Sequence, residues 1–396
     1  MNGQEIKALD ERYVLHTYAR APFVIERGEG VRVYDTEGKG YLDFVSGIAV
    51  NALGYGDPDV LAAVAEQSQQ LMHISNLYHT VPQAQLAQML VERSFADKVF
   101  FCNSGTEAVE AALKFARKWA KKNHADQKTR FVAFEGAFHG RTMGALSLTP
   151  RPSYQDPFRP LIPGAAFGAY NDLASAEALI DDDTCACIVE PVQGEGGVYS
   201  ADLAFLKRLR ELCDRHGALL IFDEVQCGMG RTGTLWAHEP YGVTPDLMTL
   251  AKPLGGGLPI GATLMTDAVA SAIEPGDHGS TFAANPVVCA AAQVVMTKIG
   301  APAFLEHVRA MGSYVEESLL ELQHRYPCIK EVRGRGLIWG IEATVDVGPA
   351  IEAGFAEGLL TCKAGAHVLR LLPPLVVSED DIDEATAILD HAFSAL

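Results

Sequence analysis

Positive charge is scarce in this 396-residue sequence: 32 lysines and arginines stand against 50 aspartates and glutamates, for a net charge of -18. Such a balance disfavours DNA, RNA or an anionic membrane surface as a bulk partner, so an anionic ligand has to be gripped by individual arginines. No uninterrupted apolar run reaches the length of a membrane-crossing helix, and the opening MNGQEIKALDERYVLHTYAR is charged throughout, with no apolar signal core. The expectation is a soluble, cytoplasmic protein without a membrane partner. The eight cysteines form no CxxC pair and the twelve histidines no HExxH, which argues against a disulfide framework and against a protein-bound metal. Cys185 and Cys187, in CACIVEP, read as small buried hydrophobes that share one face of a strand. A GxxxxGK[ST] phosphate loop is also lacking, and no repeat, low-complexity tract or long linker is visible.

What the sequence does have is apolar material, 48% of its residues, in a chain long enough for two domains. Through its middle, short apolar runs alternate with helix-period segments, the pattern of a parallel sheet with crossover helices. KVFFCN precedes EAVEAALKFARKWAKK, in which Val109, Ala112, Leu113, Ala116 and Trp119 keep to one helical face. RFVAFE and CACIVEPV follow; LAFLKRLRELCDRHG then puts Leu206, Leu209, Leu212 and Cys213 on a stripe, with Gly217 as a stop signal before ALLIFDE. In an open parallel sheet, ligands bind beyond the carboxyl ends of the strands. NSGTE, EGAFHGRT, EPVQGEGG and DEVQ should therefore meet in one crevice. The chain ends read differently, with strand alternation in GVRVYDTEGKGYLDF and mixed helices and strands after about residue 300. The expectation is an α/β fold: a large domain over 56–294 with a mostly parallel central sheet, and a smaller α+β domain assembled from 1–55 and 295–396.

Asp223 and Glu224 end the apolar run ALLIFDE, and three chemistries ask for a carboxylate there. A magnesium-nucleotide site fails for want of the phosphate loop. GMGRTG matches the glycine pattern of a dinucleotide site, but it starts past the acid instead of directly after a strand. It then runs into TLWAHEPYG, whose proline and glycine fit no glycine-opened helix, so it reads as a turn. The third chemistry is an organic cofactor with a cationic ring. Lys252, in MTLAKPLGGGLPIG, lies between an apolar run and a glycine cluster, where partial desolvation would lower its pKa and make it a nucleophile. A Schiff-base lysine and an aspartate facing a pyridinium nitrogen are what pyridoxal phosphate requires. Taken as an isolated pair, they are better explained by an internal salt bridge or a surface lysine. A phosphate site is then obligatory, and CNSGTEA supplies one, with Ser104, Gly105 and Thr106 turning into a helix N-terminus. The same turn also reads as a capping box from Ser104 to Glu107, and it can serve both ends.

Together these stretches resemble the class III (ω-amino acid) aminotransferases of the type I pyridoxal phosphate fold. The likeness covers essentially the whole chain, from ERGEGVRVYDTEGKGYLDFVSGIAVNALGYGDP to RLLPPLVVSEDDID, and is strongest to the branch acting on N-acetylornithine. The resemblance implies that Lys252 forms the Schiff base, Asp223 pairs with the ring nitrogen, Gln226 approaches the ring hydroxyl and Phe138 stacks on the ring. Gly105 and Thr106 would hold the phosphate with Thr281 of a second subunit, which implies a homodimer with shared active sites. Arg141 would bind the substrate α-carboxylate as a bidentate fork, with Ser280 beside the substrate. Read without the family, Phe138 is as readily a core aromatic and Arg141 a surface residue. Arg370 is similar to the arginine that takes the second carboxylate of glutamate, and Glu195 to its gatekeeper. Tyr18 aligns with a tyrosine that ornithine-specific members use at the α-amine end. The implied reaction is a ping-pong transamination from N-acetylornithine to 2-oxoglutarate in arginine biosynthesis. Ornithine, succinylornithine, acyl-lysine and 4-aminobutyrate stay open as donors, since they differ mainly in what fills the distal pocket. A catalytically silent scaffold of the same fold is the alternative of a different class.

Overall fold

The computed structural model describes every residue from Met1 to Leu396. Strands β1 (Ile25–Glu29), β2 (Arg32–Asp35) and β3 (Gly40–Asp43) come first, followed by helices Pro58–Gln70 and Val81–Glu92. The middle of the chain supplies β4 (Lys98–Cys102), β5 (Arg130–Phe134), β6 (Ala165–Gly168) and β7 (Thr184–Val189). After the small hairpin β8 (Val192–Gln193) and β9 (Tyr199–Ser200) come β10 (Leu219–Asp223), β11 (Leu247–Leu250) and β12 (Gly261–Met265). The last third adds β13 (Ile329–Arg335), β14 (Ile338–Ala343), β15 (Leu359–Leu360), β16 (Cys362–Lys363) and β17 (Val368–Leu371).

The central sheet has seven strands in the order β4-β12-β11-β10-β7-β5-β6. Neighbours are parallel except around β12, which runs antiparallel to both β11 and β4. Every residue of β7, β10, β11 and β12 is buried, as expected of strands with helices on both faces. Helix Gly105–Asn123 covers one face through Val109, Ala112, Leu113 and Ala116, with Trp119 half-buried beside them. On the other face, helix Leu203–His216 buries Phe205, Leu206, Leu209, Leu212 and Cys213 and stops at Gly217, which takes the left-handed conformation (φ 60°) of a helix C-cap.

The two cysteines of β7 correct the sequence reading. Pairing with β5 skips from Arg130↔Thr184 to Phe131↔Ala186, leaving Cys185 unpaired in a bulge. An extra residue breaks the two-residue alternation, so Cys185 packs under helix Gly105–Asn123 while Cys187 packs on the opposite face against the other cluster.

The chain ends fold together into the smaller α+β region. β15, from the last third, pairs parallel to β3 and completes the sheet β1-β2-β3-β15; β13, β14, β17 and β16 form a second small sheet. One hydrophobic cluster runs from Leu42 and Phe44 through Leu250 and Met296 to Phe393, so the two regions share a core. Arg231, in the GMGRTG turn, closes their junction. Its buried guanidinium donates to the carbonyls of Leu337 and Pro373, and burial pushes its pKa down to about 9. Gly336 (φ 56°) lies so close to this turn that a Cβ would stand 2.5 Å from the Arg231 carbonyl. No single helix is long and apolar enough to cross a membrane.

Candidate active site

The loops that leave β4, β5, β7, β10 and β11 converge on one cleft of about 430 Å³, lined by Asn103–Thr106, Phe138–Arg141, Glu190, Asp223, Val225, Gln226 and Lys252 among others. All four polar stretches expected in one crevice are represented there.

Asp223, the last residue of β10, is only 3% exposed. One of its carboxylate oxygens lies 2.7 Å from His139 Nδ1; the other accepts from Thr249 Oγ1 at 3.0 Å and from the Val225 amide at 3.1 Å. A buried carboxylate with three partners is fixed in direction. The other ring nitrogen of His139, Nε2, is buried without a partner. Lys252 follows β11 with φ at +31°, a conformation that costs a residue with a side chain on the order of 1–3 kcal/mol and that tends to mark functional positions. Burial pushes its amine down to about 8, against the opposing pull of the carboxylates of Glu195, Asp223 and Glu190.

At the third corner, Ser104 caps helix Gly105–Asn123 by accepting the Glu107 amide at 3.3 Å. The Glu107 carboxylate turns back on the amide of Asn103, at 2.8 Å, one residue before the partner a standard capping box would use. Gly105 leaves no room for a side chain, since a Cβ there would lie 2.7 Å from Val225. Thr106 Oγ1 is 2.8 Å from Thr142 Oγ1. The first amides of a 19-residue helix thus open onto the cleft with their dipole behind them.

Behind Gln226 lies a second charged group. Arg370, on β17 and 1% exposed, donates to Glu195 Oε1 at 2.6 Å and to Gln226 Oε1 at 3.0 Å; its other terminal nitrogen is 3.6 Å from Cys362 Sγ. Gln226 Nε2 in turn donates to Glu195 Oε1 at 3.3 Å. Burial alone would raise the Glu195 carboxyl, but Arg370 and Lys252 reverse that and hold it below its ordinary value. Gln226, expected at a ring hydroxyl, lines the cleft and is bonded through both polar atoms of its side chain into the Glu195–Arg370 pair.

Arg141 reaches the cleft from the loop after β5. Its guanidinium stacks 3.3 Å over the ring of Tyr154 and 5.6 Å from that of Phe138. The Phe138 amide donates to Glu190 Oε2 at 3.1 Å, and burial, reinforced by Asp223, pushes the Glu190 carboxyl well above its ordinary value. Ser280 Oγ accepts from Asn103 Nδ2 at 2.8 Å, beside the capped turn. Two expected residues lie apart: Thr281 is exposed and does not line the cleft of its own chain, and Tyr18 is 77% exposed on the N-terminal segment.

Sequence reasoning missed His139, Thr249, Glu190 and Tyr154. Three of them carried a signal. His139 belongs to EGAFHGRT and Glu190 opens EPVQGEGG, both stretches already assigned to the crevice, and Thr249 is the residue that parallel pairing sets opposite Asp223.

Pyridoxal phosphate needs an anion cradle, a carboxylate for its ring nitrogen and an amine for its aldehyde. The capped turn with its obligate Gly105, the anchored Asp223 and the depressed Lys252 meet each need. Fold and cleft together define a pyridoxal-phosphate-dependent aminotransferase. The family model for aminotransferase class-III matches residues 13–393, and the chain belongs to that family. It is 52% identical to the mitochondrial acetylornithine aminotransferase of Alnus glutinosa, over all of this chain and 88% of the relative. It is 49% identical to the succinylornithine transaminase of Yersinia enterocolitica, over 95% of this chain and 94% of the relative. The ornithine aminotransferase of Toxoplasma gondii, solved with pyridoxal phosphate partly occupying its active site, superposes with a TM-score of 0.95 at 34% identity, covering 99% of this chain and 94% of that one.

Proposed function

We propose that the chain transfers the terminal amine of N-acetyl-L-ornithine to 2-oxoglutarate, giving N-acetyl-L-glutamate 5-semialdehyde and L-glutamate, a step of arginine biosynthesis. The observation that carries this reading is the contrast between two arginines. Arg141 is stacked on Tyr154 without a carboxylate partner, whereas Arg370 is neutralised by Glu195. A donor with one carboxylate and an acylated, neutral α-amine occupies Arg141 and leaves the Glu195–Arg370 pair closed. An acceptor with two carboxylates needs the pair to open. One cleft then serves two unlike substrates in turn, which is the requirement of ping-pong transamination.

Pyridoxal phosphate, when bound, supplies the aldehyde that takes up the amine and the ring that accepts its electrons. Asp223, anchored by His139 and Thr249, holds a proton on the ring nitrogen. Lys252, whose amine is free above a pH of about 8, removes the proton from the carbon that bears the donor's terminal nitrogen and returns it during the reverse half. Arg141 grips the α-carboxylate as a fork and fixes the donor's orientation. Gly105 and Thr106 present amides to the phosphate, and Phe138 supplies an aromatic face.

The same reading calls for a second copy of the chain, whose Thr281 would complete the phosphate site. Thr281 adjoins an exposed apolar patch in which Leu77 (83% exposed), Tyr78 and Phe282 (61%) are brought together by contacts of His73 with Phe282 and of Asn76 with the Ala283 carbonyl. Patches of this kind mark protein interfaces. Eight free cysteines fit a reducing compartment, and we place the protein in the cytoplasm.

Succinylornithine is the second reading, favoured by the Yersinia relative. It would bring a second carboxylate, and Arg141 is the only arginine in the cleft lining, so that donor would have to open the Arg370 pair in both half-reactions. The deciding measurement is the visible absorption of the purified holoenzyme mixed with N-acetylornithine, succinylornithine, ornithine or 4-aminobutyrate in the absence of a keto acid. N-acetylornithine should bleach the cofactor band fastest. Faster bleaching by another amine would reassign the donor, and absence of a band even with added cofactor would remove the enzyme reading.

A further inference from the structure

Arg141 has a long side chain on a surface loop, and neither a carboxylate nor a hydrogen bond within the chain fixes its guanidinium. A fork of that kind recognises a carboxylate bidentately only if it is held in place beforehand; otherwise binding has to overcome the loss of its rotamer freedom. The structure supplies the support from residues that the reaction itself does not use. The Tyr154 ring lies 3.3 Å beneath the Arg141 guanidinium. Tyr154 belongs to the short helix Pro152–Gln155, which is anchored by Gln155 through hydrogen bonds to the carbonyls of Leu146 and Thr149. The Tyr154 oxygen accepts from Arg151 Nη1 at 3.0 Å, and Arg151 Nη2 donates to the main-chain carbonyl of Glu195 at 3.0 Å. From Glu195 the chain of contacts continues to Arg370.

We propose that Tyr154 and Arg151 are positioning residues: Tyr154 is the platform that holds Arg141 over the cleft, and Arg151 ties that platform to the main chain of Glu195. The inference rests on the reading of Arg141 as the carboxylate fork. It makes two carboxylate sites parts of one braced unit. Glu195 can swing its side chain away from Arg370 while its carbonyl stays pinned, so opening the second site need not disturb the first.

The test uses the holoenzyme and four variants: Tyr154→Leu, Tyr154→Phe, Arg151→Met and, as a control, Arg141→Lys. Tyr154→Leu should raise KM for N-acetylornithine and the Kd for glutarate, an unreactive dicarboxylate followed by calorimetry, by about five- to tenfold, the worth of a well-placed cation–π stack. Its kcat should stay within about twofold, because the stack serves binding before and during reaction alike. The single-turnover rate with 1,4-diaminobutane, an amine without a carboxylate, should not change. Tyr154→Phe keeps the ring under Arg141 but loses the bond from Arg151, so it should show, like Arg151→Met, a loss of only about two- to threefold, the size of one modest hydrogen bond.

If Arg141→Lys raises KM but Tyr154→Leu does not, the platform is refuted and the role of Arg141 stands. If Arg141→Lys changes nothing, the carboxylate reading itself fails. Equal loss with the diamine and with N-acetylornithine in Tyr154→Leu would make Tyr154 a merely structural residue and overturn the proposal. Should that variant not fold, Arg151→Met decides: a KM rise with the diamine rate preserved supports the bracing, and an unchanged KM overturns it.

Discussion

Asp223 and Arg141 both face the same cleft, yet they are held in opposite ways. Asp223 ends a central strand of a seven-stranded sheet, is buried, and is bonded on both oxygens by neighbours from β11 and from the loop after β5. Arg141 sits on an exposed loop, held by the face of one tyrosine. The contrast extends to their companions. Lys252 and the capped turn at Gly105 belong to strand ends of the same sheet, whereas Arg370 comes from a small sheet of the other region. On the proposed reading, the half that addresses the cofactor is built on one sheet, and the half that addresses substrates is assembled from separate parts of the chain. An enzyme whose cofactor stays while two substrates alternate needs that division.

The largest expected effects lie on the cofactor side. Lys252→Ala should lower turnover by about 10²- to 10⁴-fold, the usual worth of a positioned acid–base group, while leaving the protein folded. A variant that still transaminated would break the comparison at its root. His139→Phe removes one of three partners of Asp223 and strands a carboxylate in a buried site. It should cost about 10- to 100-fold in kcat, the range of one hydrogen bond to a charged group. Because Asp223 acts on bound cofactor rather than on carboxylates, KM should barely move, and a change confined to KM would place His139 with the substrate groups instead. On the substrate side, Glu195→Gln leaves Arg370 without its counter-charge. The Kd for 2-oxoglutarate should fall and KM for N-acetylornithine rise, each by about tenfold for a charge-assisted pair; movement of both in the same direction would refute a gate.

The same division explains what could be read from the sequence. Strand-end motifs are contiguous: ALLIFDE announces Asp223, LMTLAK announces Lys252 and CNSGTE announces the capped turn, because a strand, its terminal residue and the next turn are neighbours in the chain. The α/β architecture was legible for the same reason, in the alternation of apolar runs with helical stripes. Contacts between distant segments left no such trace. Arg151 touches Glu195 because the segments after β5 and β7 pack side by side, and Tyr154 lies under Arg141 because the connection from β5 to β6 folds back on itself. The bulge at Cys185 was invisible because one unpaired residue leaves apolar composition untouched and changes only the face each side chain meets. Gln226 was legible as a cleft residue but not as a partner of Arg370, which arrives from β17 far along the chain.

The smallest effect tests the cofactor half without altering a catalytic step. Burial depresses the Lys252 amine from its ordinary 10.5 to about 8. Only the neutral amine attacks an aldehyde, so recombination of the apoprotein with pyridoxal phosphate should quicken as pH rises and level off above about 8. Between pH 7 and the plateau the gain should be about tenfold, the change in the neutral fraction for a group of that pKa. An unburied lysine would keep accelerating toward 10.5. The linked effect on stability has the same sign. Between about 8 and 10.5 the unfolded chain holds the proton that the folded chain has lost, so folding grows more favourable as pH rises through that window. Below about 8 both states are protonated and the folded apoprotein carries the full cost of the buried charge. Lys252→Met apoprotein, which has no such charge, should therefore melt above wild type at pH 7, with the gap closing as pH rises toward 10. A gap that did not depend on pH would show that Lys252 is as solvated as a surface lysine, and the cofactor half of the comparison would lose its nucleophile.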